Sequence, residues 1–372
     1  MPATQLDHYV TLGNSGLRVS PLCLGAMTFG TEWGIGAEMD DSFKQLDRFY
    51  ELGGNFIDTA NMYNKGESEV ILGSYFRGKA GKGQRGVEFP FRDRWVIATK
   101  WLGNMYPGDP NGGGASRKAL MESVEQSLRR MRTDYIDLLW MHFWDQHTPI
   151  EETMRGLDDL VTSGKVRYLG FSDTPAWKCA QAQTTAHFRS WAPLIALQIE
   201  YSMIERTVEG ELIPMAQELG MGVTPWSPLK GGLLSGKYKK DQMPEQGRMK
   251  EDNPLFKEDR TWKILTALEA VSGETGRSMA EVALAWLRAK PGVASIIIGA
   301  RTIEHLESNL ASLTVDLTDE HIETLDEASK PKLNFPHDFL QFVRTPIHNG
   351  TTINGVSTER WGASPQNDAE RW

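Results

Sequence analysis

A chain of 372 residues with 40% hydrophobic content has room for one large α/β domain or two ordinary ones and enough apolar material for a sizeable core. Its formal net charge of −9 argues against nucleic acid as the main partner, although local basic clusters still suit a small phosphorylated ligand. Cys23 and Cys179 lie far apart without metal-ligand spacing, the chain opens with no basic, apolar leader, and no apolar run nears the roughly 20 residues of a membrane helix, so a reducing, cytoplasmic setting is expected.

In chain order, residues 9–12 and 17–20 flank Gly13-Asn-Ser-Gly16, a hairpin signal. Eight short apolar runs follow, at 22–25, 55–58, 95–100, 136–142, 166–172, 195–200, 222–226 and 296–299. Helical patterns fall near 40–53, 67–77, 116–131, 150–163, 175–188, 207–219, 261–289 and 302–312. Eight strand-then-helix units predict an α/β fold, a (β/α)8 TIM barrel spanning residues 1–330 behind its N-terminal hairpin. An open doubly wound sheet is the alternative, but no Gly-x-Gly-x-x-Gly follows the first strand.

Three segments exceed what a barrel needs. Residues 101–115 and 228–260 follow the third and seventh strands and so belong to the active face. The tail, 331–372, carries Phe335, Phe339, Phe342, Trp361 and Trp372, with little periodicity, and suits a substrate lid or an oligomer contact. The Gly- and Lys-rich stretch 79–93 lies between a helix and a strand, on the opposite face.

The strand ends carry the chemistry. The second, third and fourth strands end in Asp58, Lys100 and His142, each a polar group terminating an apolar run, and Tyr63 follows Asp58 on a loop. A terminal Lys is usually solvated and a terminal His is often a satisfied core residue. Given a barrel, three such ends on neighbouring strands, with Tyr63 beside them, are expected to converge on one pocket at the carboxyl face, where barrel catalysis resides. A free phenol titrates near 10, so the Lys100 ammonium is expected to lower Tyr63 toward a useful proton donor. Asp58 would hold Lys100 charged, and His142 would offer an N–H to a substrate oxygen. Such a site protonates a developing alkoxide, and because no side chain donates hydride, it requires a nicotinamide cofactor.

The order Asp58, Tyr63, Lys100, His142 on a barrel of this size resembles the catalytic tetrad of the aldo-keto reductase superfamily. Met141-His-Phe-Trp-Asp145 and Phe56-Ile-Asp-Thr-Ala60 are most similar to its aryl-alcohol dehydrogenase-like branch, and the likeness runs from about Tyr9 to about Lys330. The resemblance implies Tyr63 as proton donor, Lys100 and Asp58 as its modulators, and His142 as the carbonyl-orienting residue. It implies cofactor contacts at Gly25, Met27, Thr28 and Asp58, at Ser172, Asp173 and Gln198 for a carboxamide, and at Trp226 as a ring-stacking aromatic. Asp173 stands where the family usually has Asn, and Trp226 where Tyr or Phe is common. Ser227, Leu229, Gly231, Lys237, Arg248, Gly299, Arg301, His305 and Asn309 resemble dinucleotide contacts after the seventh and eighth strands. His305 and Ser308 depart from the Gln and Glu most often seen there. Lys237, Arg248 and Arg301 together favour NADP(H) over NAD(H), because an extra phosphate needs charge-assisted partners.

The leading reading is an NADP(H)-dependent oxidoreductase interconverting an aldehyde or ketone and its alcohol by hydride transfer. Trp33, Trp101, Phe143 and Trp144 suggest an apolar wall, so the expected substrate is aryl or otherwise bulky and apolar, met by Trp33, Tyr63, Trp101, His142 and Phe143. Neither nucleic acid nor membrane is expected as a partner, and a homo-oligomer stays open. Two rivals are kept: a cofactor-binding regulatory subunit with little turnover, and a metal-dependent hydrolase. His142, Asp145 and His147 lack the helical spacing of metal ligands, so no metal is expected. Gly73-Ser-Tyr-Phe-Arg-Gly-Lys-Ala80 nearly spells a phosphate loop, but it lacks the metal-binding Ser or Thr and ends a helix.

Overall fold

Alternation of short apolar runs with amphipathic stretches leaves each strand two faces to bury, and a closed ring of strands inside a ring of helices buries both. The structure is a computed structural model that describes residues 5–79, 81–82, 88–89, 91–240, 244 and 247–371. It divides into two compact units, Met1–Ser329 and Lys330–Trp372.

Among the described residues of the first unit, eight parallel strands form the barrel: β1 (Leu22–Gly25), β2 (Phe56–Asp58), β3 (Val96–Trp101), β4 (Ile136–Met141), β5 (Val166–Ser172), β6 (Leu194–Glu200), β7 (Gly222–Trp226) and β8 (Ile296–Gly299). They are hydrogen-bonded in the order β7-β6-β5-β4-β3-β2-β1-β8. Val223 of β7 completes the ring, donating to Gly292 over 2.9 Å and accepting from Ala294 over 2.8 Å just before β8.

Strand periodicity decides which side chain goes where. Cys23, Phe56, Val96, Ala98, Leu138, Trp140, Ala196 and Ile297 fill the barrel interior, while their chain neighbours Leu22, Leu24, Ile57, Ile97, Leu139 and Ile298 meet the helices. Gly170 of β5 makes room for the Trp140 indole, since a Cβ there would lie 2.4 Å from the ring. Leu12 and Val19 join the interior cluster, so the predicted hairpin, paired through Val10–Thr11 and Arg18–Val19, plugs the barrel floor. Gly13 permits this seat: its φ is +58° and a Cβ would lie 2.1 Å from the Ile195 carbonyl.

The helices are α1 (Met39–Glu51), α2 (Glu67–Gly78), α3 (Arg117–Met131), α4 (Ile150–Thr162), α5 (Ala176–Arg189), α6 (Leu212–Glu218), α7 (Asp259–Thr275), α8 (Met279–Arg288), α9 (Ile303–Ala311) and α10 (Asp319–Ser329). Three departures from expectation appear, the first being α10, which no helical pattern anticipated. The single helix over 261–289 is broken at Gly276 (φ +64°), and Ser278 restarts the chain as α8 by accepting from the Glu281 N–H. The pattern Ser278-x-x-Glu281 is a capping signal, so this break was readable. The stretch 207–219 is a 3-10 turn, Thr207–Glu209, followed by α6. The near-phosphate loop lies largely inside α2, where Gly73 gives the α3 backbone a close approach: a Cβ would lie 2.4 Å from the Arg130 carbonyl. Of the stretch 79–93, Gly81–Lys82 pairs antiparallel with Glu88–Phe89, and residues 80, 83–87 and 90 lie outside the described residues.

The second unit is more structured than its composition suggested. It holds α11 (His337–His348) and a hairpin pairing Thr352–Ile353 with Val356–Ser357. Two local devices explain this. Asn349 ends α11 at φ +40°, accepts from the Trp361 N–H (2.8 Å) and donates to Ser364 Oγ (3.0 Å). Asn354-Gly355, both at positive φ, closes the hairpin. Among the described residues, no helix is long and apolar enough to cross a membrane.

Candidate active site

The inward-facing parity that packs the barrel also selects what emerges at its carboxyl end. Continuing each interior row by two residues brings Gly25, Asp58, Lys100, His142, Ser172, Gln198, Trp226 and Gly299 to one mouth, and all but Lys100 line a single cleft of about 560 Å³. Lys100 is 1% exposed and lies beneath it.

Lys100 is the hub. Its Nζ donates to Asp58 Oδ2, to the Thr59 carbonyl (2.9 Å) and to the Tyr63 hydroxyl (3.0 Å). Gln198 Nε2 donates to the other Asp58 oxygen over 2.9 Å. Burial works against the ammonium, yet Asp58 and Tyr63 together carry Lys100 above the ordinary lysine value. Tyr63 itself corrects an expectation. Burial raises its phenol above 10, Lys100 only opposes that rise, and Asp58 adds to it. The hydroxyl therefore keeps its proton throughout the neutral range.

Tyr63 owes its position to Asn64, a residue sequence reasoning passed over. Asn64 sits at φ +47°, a region that Asn tolerates better than most residues. Its amide donates to the carbonyls of Met27 and Phe29, each over 3.0 Å, and accepts from the Trp33 N–H over 3.0 Å. The loop bearing the phenol is thereby tied to the loop after β1.

His142 stands edge-on to Tyr63, with ring centroids 5.8 Å apart, and Phe143 stacks on the imidazole at 4.0 Å. Burial, and then the Lys100 charge, pull His142 down to about 2, so the ring is neutral. Its Nδ1 is buried without a hydrogen-bond partner among the described residues.

At the other end of the cleft lie Lys237, Arg248 and Arg301. Burial lowers Lys237, and Arg301 and Arg248 lower it further; Arg248 is lowered by burial and then by Arg301. Among the described residues none of the three has a carboxylate within 4.0 Å, and Arg301 pushes against both of the others. Arg301 immediately precedes α9, whose N-cap Thr302 accepts from the His305 N–H. No atom lies within 4 Å of where a Gly299 Cβ would sit, and the loop Ser227–Gly232 is folded back by positive φ at Ser227, Lys230, Gly231 and Gly232. An open glycine floor, a helix N-terminus and three cations without a carboxylate partner among the described residues fit a phosphorylated dinucleotide.

Every residue that the sequence singled out for the dinucleotide borders this cleft. Met62, Gly232, Ser235 and Ala280 border it too and were missed; only Gly232, in a Gly-Gly pair, carried a signal. The wall residues separate. Phe143 lines the cleft, and Trp33 meets the Tyr63 ring edge-on at 6.1 Å. Trp101 does not belong: it is 1% exposed and lies in the barrel–helix layer, because the residue after an inward Lys100 must face outward. Asp145 serves a turn, accepting from the Ala115 and His147 N–H groups and the Thr148 hydroxyl.

The Aldo/keto reductase family model matches residues 21–330. The chain belongs to this family. As an aldo/keto reductase it is 37% identical to an aryl-alcohol dehydrogenase of Pestalotiopsis microspora over 90% of this chain and 85% of that protein. It is 36% identical to a norsolorinic acid reductase of Aspergillus flavus over 98% of this chain and 91% of the relative. An NADP(+) aryl-alcohol dehydrogenase of Phanerodontia chrysosporium is 35% identical over 90% of this chain and 89% of its own length. The family makes this reductase an oxidoreductase, the class that its strand-tip chemistry had indicated.

Proposed function

We propose that the protein is an NADP(H)-dependent reductase that interconverts an aryl or bulky apolar aldehyde or ketone with its alcohol, Tyr63 being the proton donor. The observation carrying this reading is the hydrogen-bonded chain Asp58–Lys100–Tyr63 at one end of a cleft that has a cluster of cations at the other. When bound, the nicotinamide supplies the hydride. The neutral imidazole of His142 gives its N–H to the carbonyl oxygen and polarises it. As carbon accepts the hydride, Tyr63 passes its proton to that oxygen, and Lys100 stabilises the phenolate left behind. Asp58 keeps Lys100 charged, and Gln198 keeps Asp58 oriented. Ser172 and Gln198 would hold the carboxamide, Trp226 would stack on the ring, and Lys237, Arg248 and Arg301 would hold the phosphates, including the one that distinguishes NADP(H); all of them line the cleft.

The exposed rings of Trp33 and Phe143, at either side of the Tyr63–His142 pair, support an aryl substrate, as do the names of the relatives. The test is NADPH and NADH oxidation against a panel of benzaldehydes, ketones and small charged sugars. Preference for NADPH and benzaldehydes is expected. Faster turnover of the sugars removes the aryl assignment, and equal use of both cofactors removes the phosphate assignment.

A further inference from the structure

The two departures from the family pattern at the nicotinamide end, Asp173 and Trp226, touch each other. Trp226 Nε1–H donates to Asp173 Oδ1 over 3.0 Å, linking the tip of β5 to the tip of β7 across β6. Each partner is set by its own backbone. Asp173 sits at φ +41° directly after β5, and its N–H donates to the Gln198 carbonyl over 3.1 Å. Trp226 is the last residue of β7, in register with Glu200 of β6, and its carbonyl accepts from the Tyr201 N–H over 3.4 Å. The indole is half-buried and borders the cleft. A half-buried planar ring can turn about its last side-chain torsion, and a hydrogen bond at its edge removes that freedom.

The geometry points to Asp173 as a positioning residue that acts through Trp226: its carboxylate holds the indole plane as the platform on which the nicotinamide ring lies. A carboxylate is the acceptor suited to this task, because it offers acceptors only, whereas an amide presents a donor as well. This assignment rests on the nicotinamide reading above. The tie sits among other charges. Glu200 of β6 raises the Asp173 carboxyl, Lys100 of β3 lowers it, and the neighbouring Ser172 hydroxyl and the Trp226 N–H also lower it. Tyr63 lies within electrostatic reach of Asp173, and Lys230 holds Glu200 over 2.6 Å. With burial as the largest cause, the carboxyl is pushed up to about 6.

The experiment is a double-mutant cycle on NADPH binding by calorimetry, with Asp173→Ala, Trp226→Phe and the double variant, and Asp173→Asn as the conservative control. Asp173→Ala should weaken NADPH binding about tenfold, the scale of a lost hydrogen bond to a charged group. Trp226→Phe should weaken it similarly, and the double variant no further than either single one. Asp173→Asn, whose amide oxygen still accepts the indole N–H, should lie within about threefold of the unaltered protein. Additive losses in the double variant, or Asp173→Asn as weak as Asp173→Ala, would overturn the assignment. Near-ultraviolet circular dichroism of the ligand-free protein gives a second readout. A step near pH 6 should be present in the unaltered chain and absent from both Trp226→Phe and Asp173→Asn. If the step persists in either variant, Asp173 does not act on this indole. If the unaltered chain shows the step but binds no NADPH, the tie exists and the nicotinamide reading has failed, taking the platform role with it.

Discussion

The Lys100 ammonium donates at once to the Asp58 carboxylate and to the Tyr63 hydroxyl, so an acid and a phenol share one buried cation. The three come from two strands and a loop, and only the barrel brings them together.

Tyr63→Phe removes the transferable proton and leaves the ring in place. Turnover of an aldehyde should fall by about 10²- to 10⁴-fold, the usual contribution of a positioned acid. NADPH affinity should change little, since the residues proposed to hold the dinucleotide line other parts of the cleft. Stopped-flow reduction beside calorimetric titration separates the two. Near wild-type turnover would remove Tyr63 as the donor.

Lys100→Met leaves the Asp58 carboxylate buried with, among the described residues, only the Gln198 amide to compensate it. Breaking a buried ion pair on one side costs about 3–5 kcal/mol, so the urea midpoint should drop clearly. Adding Asp58→Asn should recover part of that loss, because no uncompensated charge remains. A double variant less stable than the single one contradicts the pairing.

His142 makes stability depend on pH with a definite sign. The unfolded chain binds a proton at this histidine near 6.5, whereas burial and Lys100 keep it off the folded chain down to about 2. The unfolded state therefore holds more protons below 6.5, and stability falls as pH falls, by up to about 1.4 kcal/mol per unit. Asp173 works in the opposite sense. Its carboxyl is raised from 3.8 to about 6, so over that window the folded chain holds the extra proton and stability falls as pH rises. Comparing the protein with His142→Gln isolates the histidine: the difference in unfolding free energy should shrink steadily from pH 6.5 downward. A constant difference would show that His142 titrates normally.

Arg301→Ala should raise the dissociation constant for NADPH by about 10- to 100-fold, as expected for a charge-assisted contact worth about 1.5–3 kcal/mol. The effect on NADH should be smaller. Removing one of three mutually repelling cations should also stabilise the ligand-free protein slightly, which a thermal melt reads. Equal losses for the two cofactors would place Arg301 away from the distinguishing phosphate.

Phe143→Ala and Trp101→Phe separate wall from core. The first should raise KM for benzaldehydes and leave the melting temperature nearly unchanged, since Phe143 is 39% exposed at the cleft. The second should lower stability by about 1–3 kcal/mol through lost packing and leave KM alone. Reversed outcomes would restore Trp101 to the substrate wall.

Much of this architecture was written locally. Eight apolar runs ending in Gly25, Asp58, Lys100, His142, Ser172, Glu200, Trp226 and Gly299 announce a barrel and its active face, because strand ends can be read from composition alone. Parity along a strand is local too. The outward turn of Trp101 and the break at Gly276 were legible in principle and needed only the two-residue alternation and a capping pattern. What no local rule supplies is the sum of environments. Tyr63 rises above 10 instead of falling, because its burial outweighs the nearby ammonium, and burial is a property of everything packed around it. Asn64 anchors the phenol's loop to backbone 35 and 37 residues earlier in the chain, and Trp226 meets Asp173 across 53 positions. The chain by itself determined the elements and the groups at their ends, since those follow from the period of each run. The closed barrel alone decided how strongly those groups feel one another, because solvent exclusion and cross-strand distance exist only once the ring has formed.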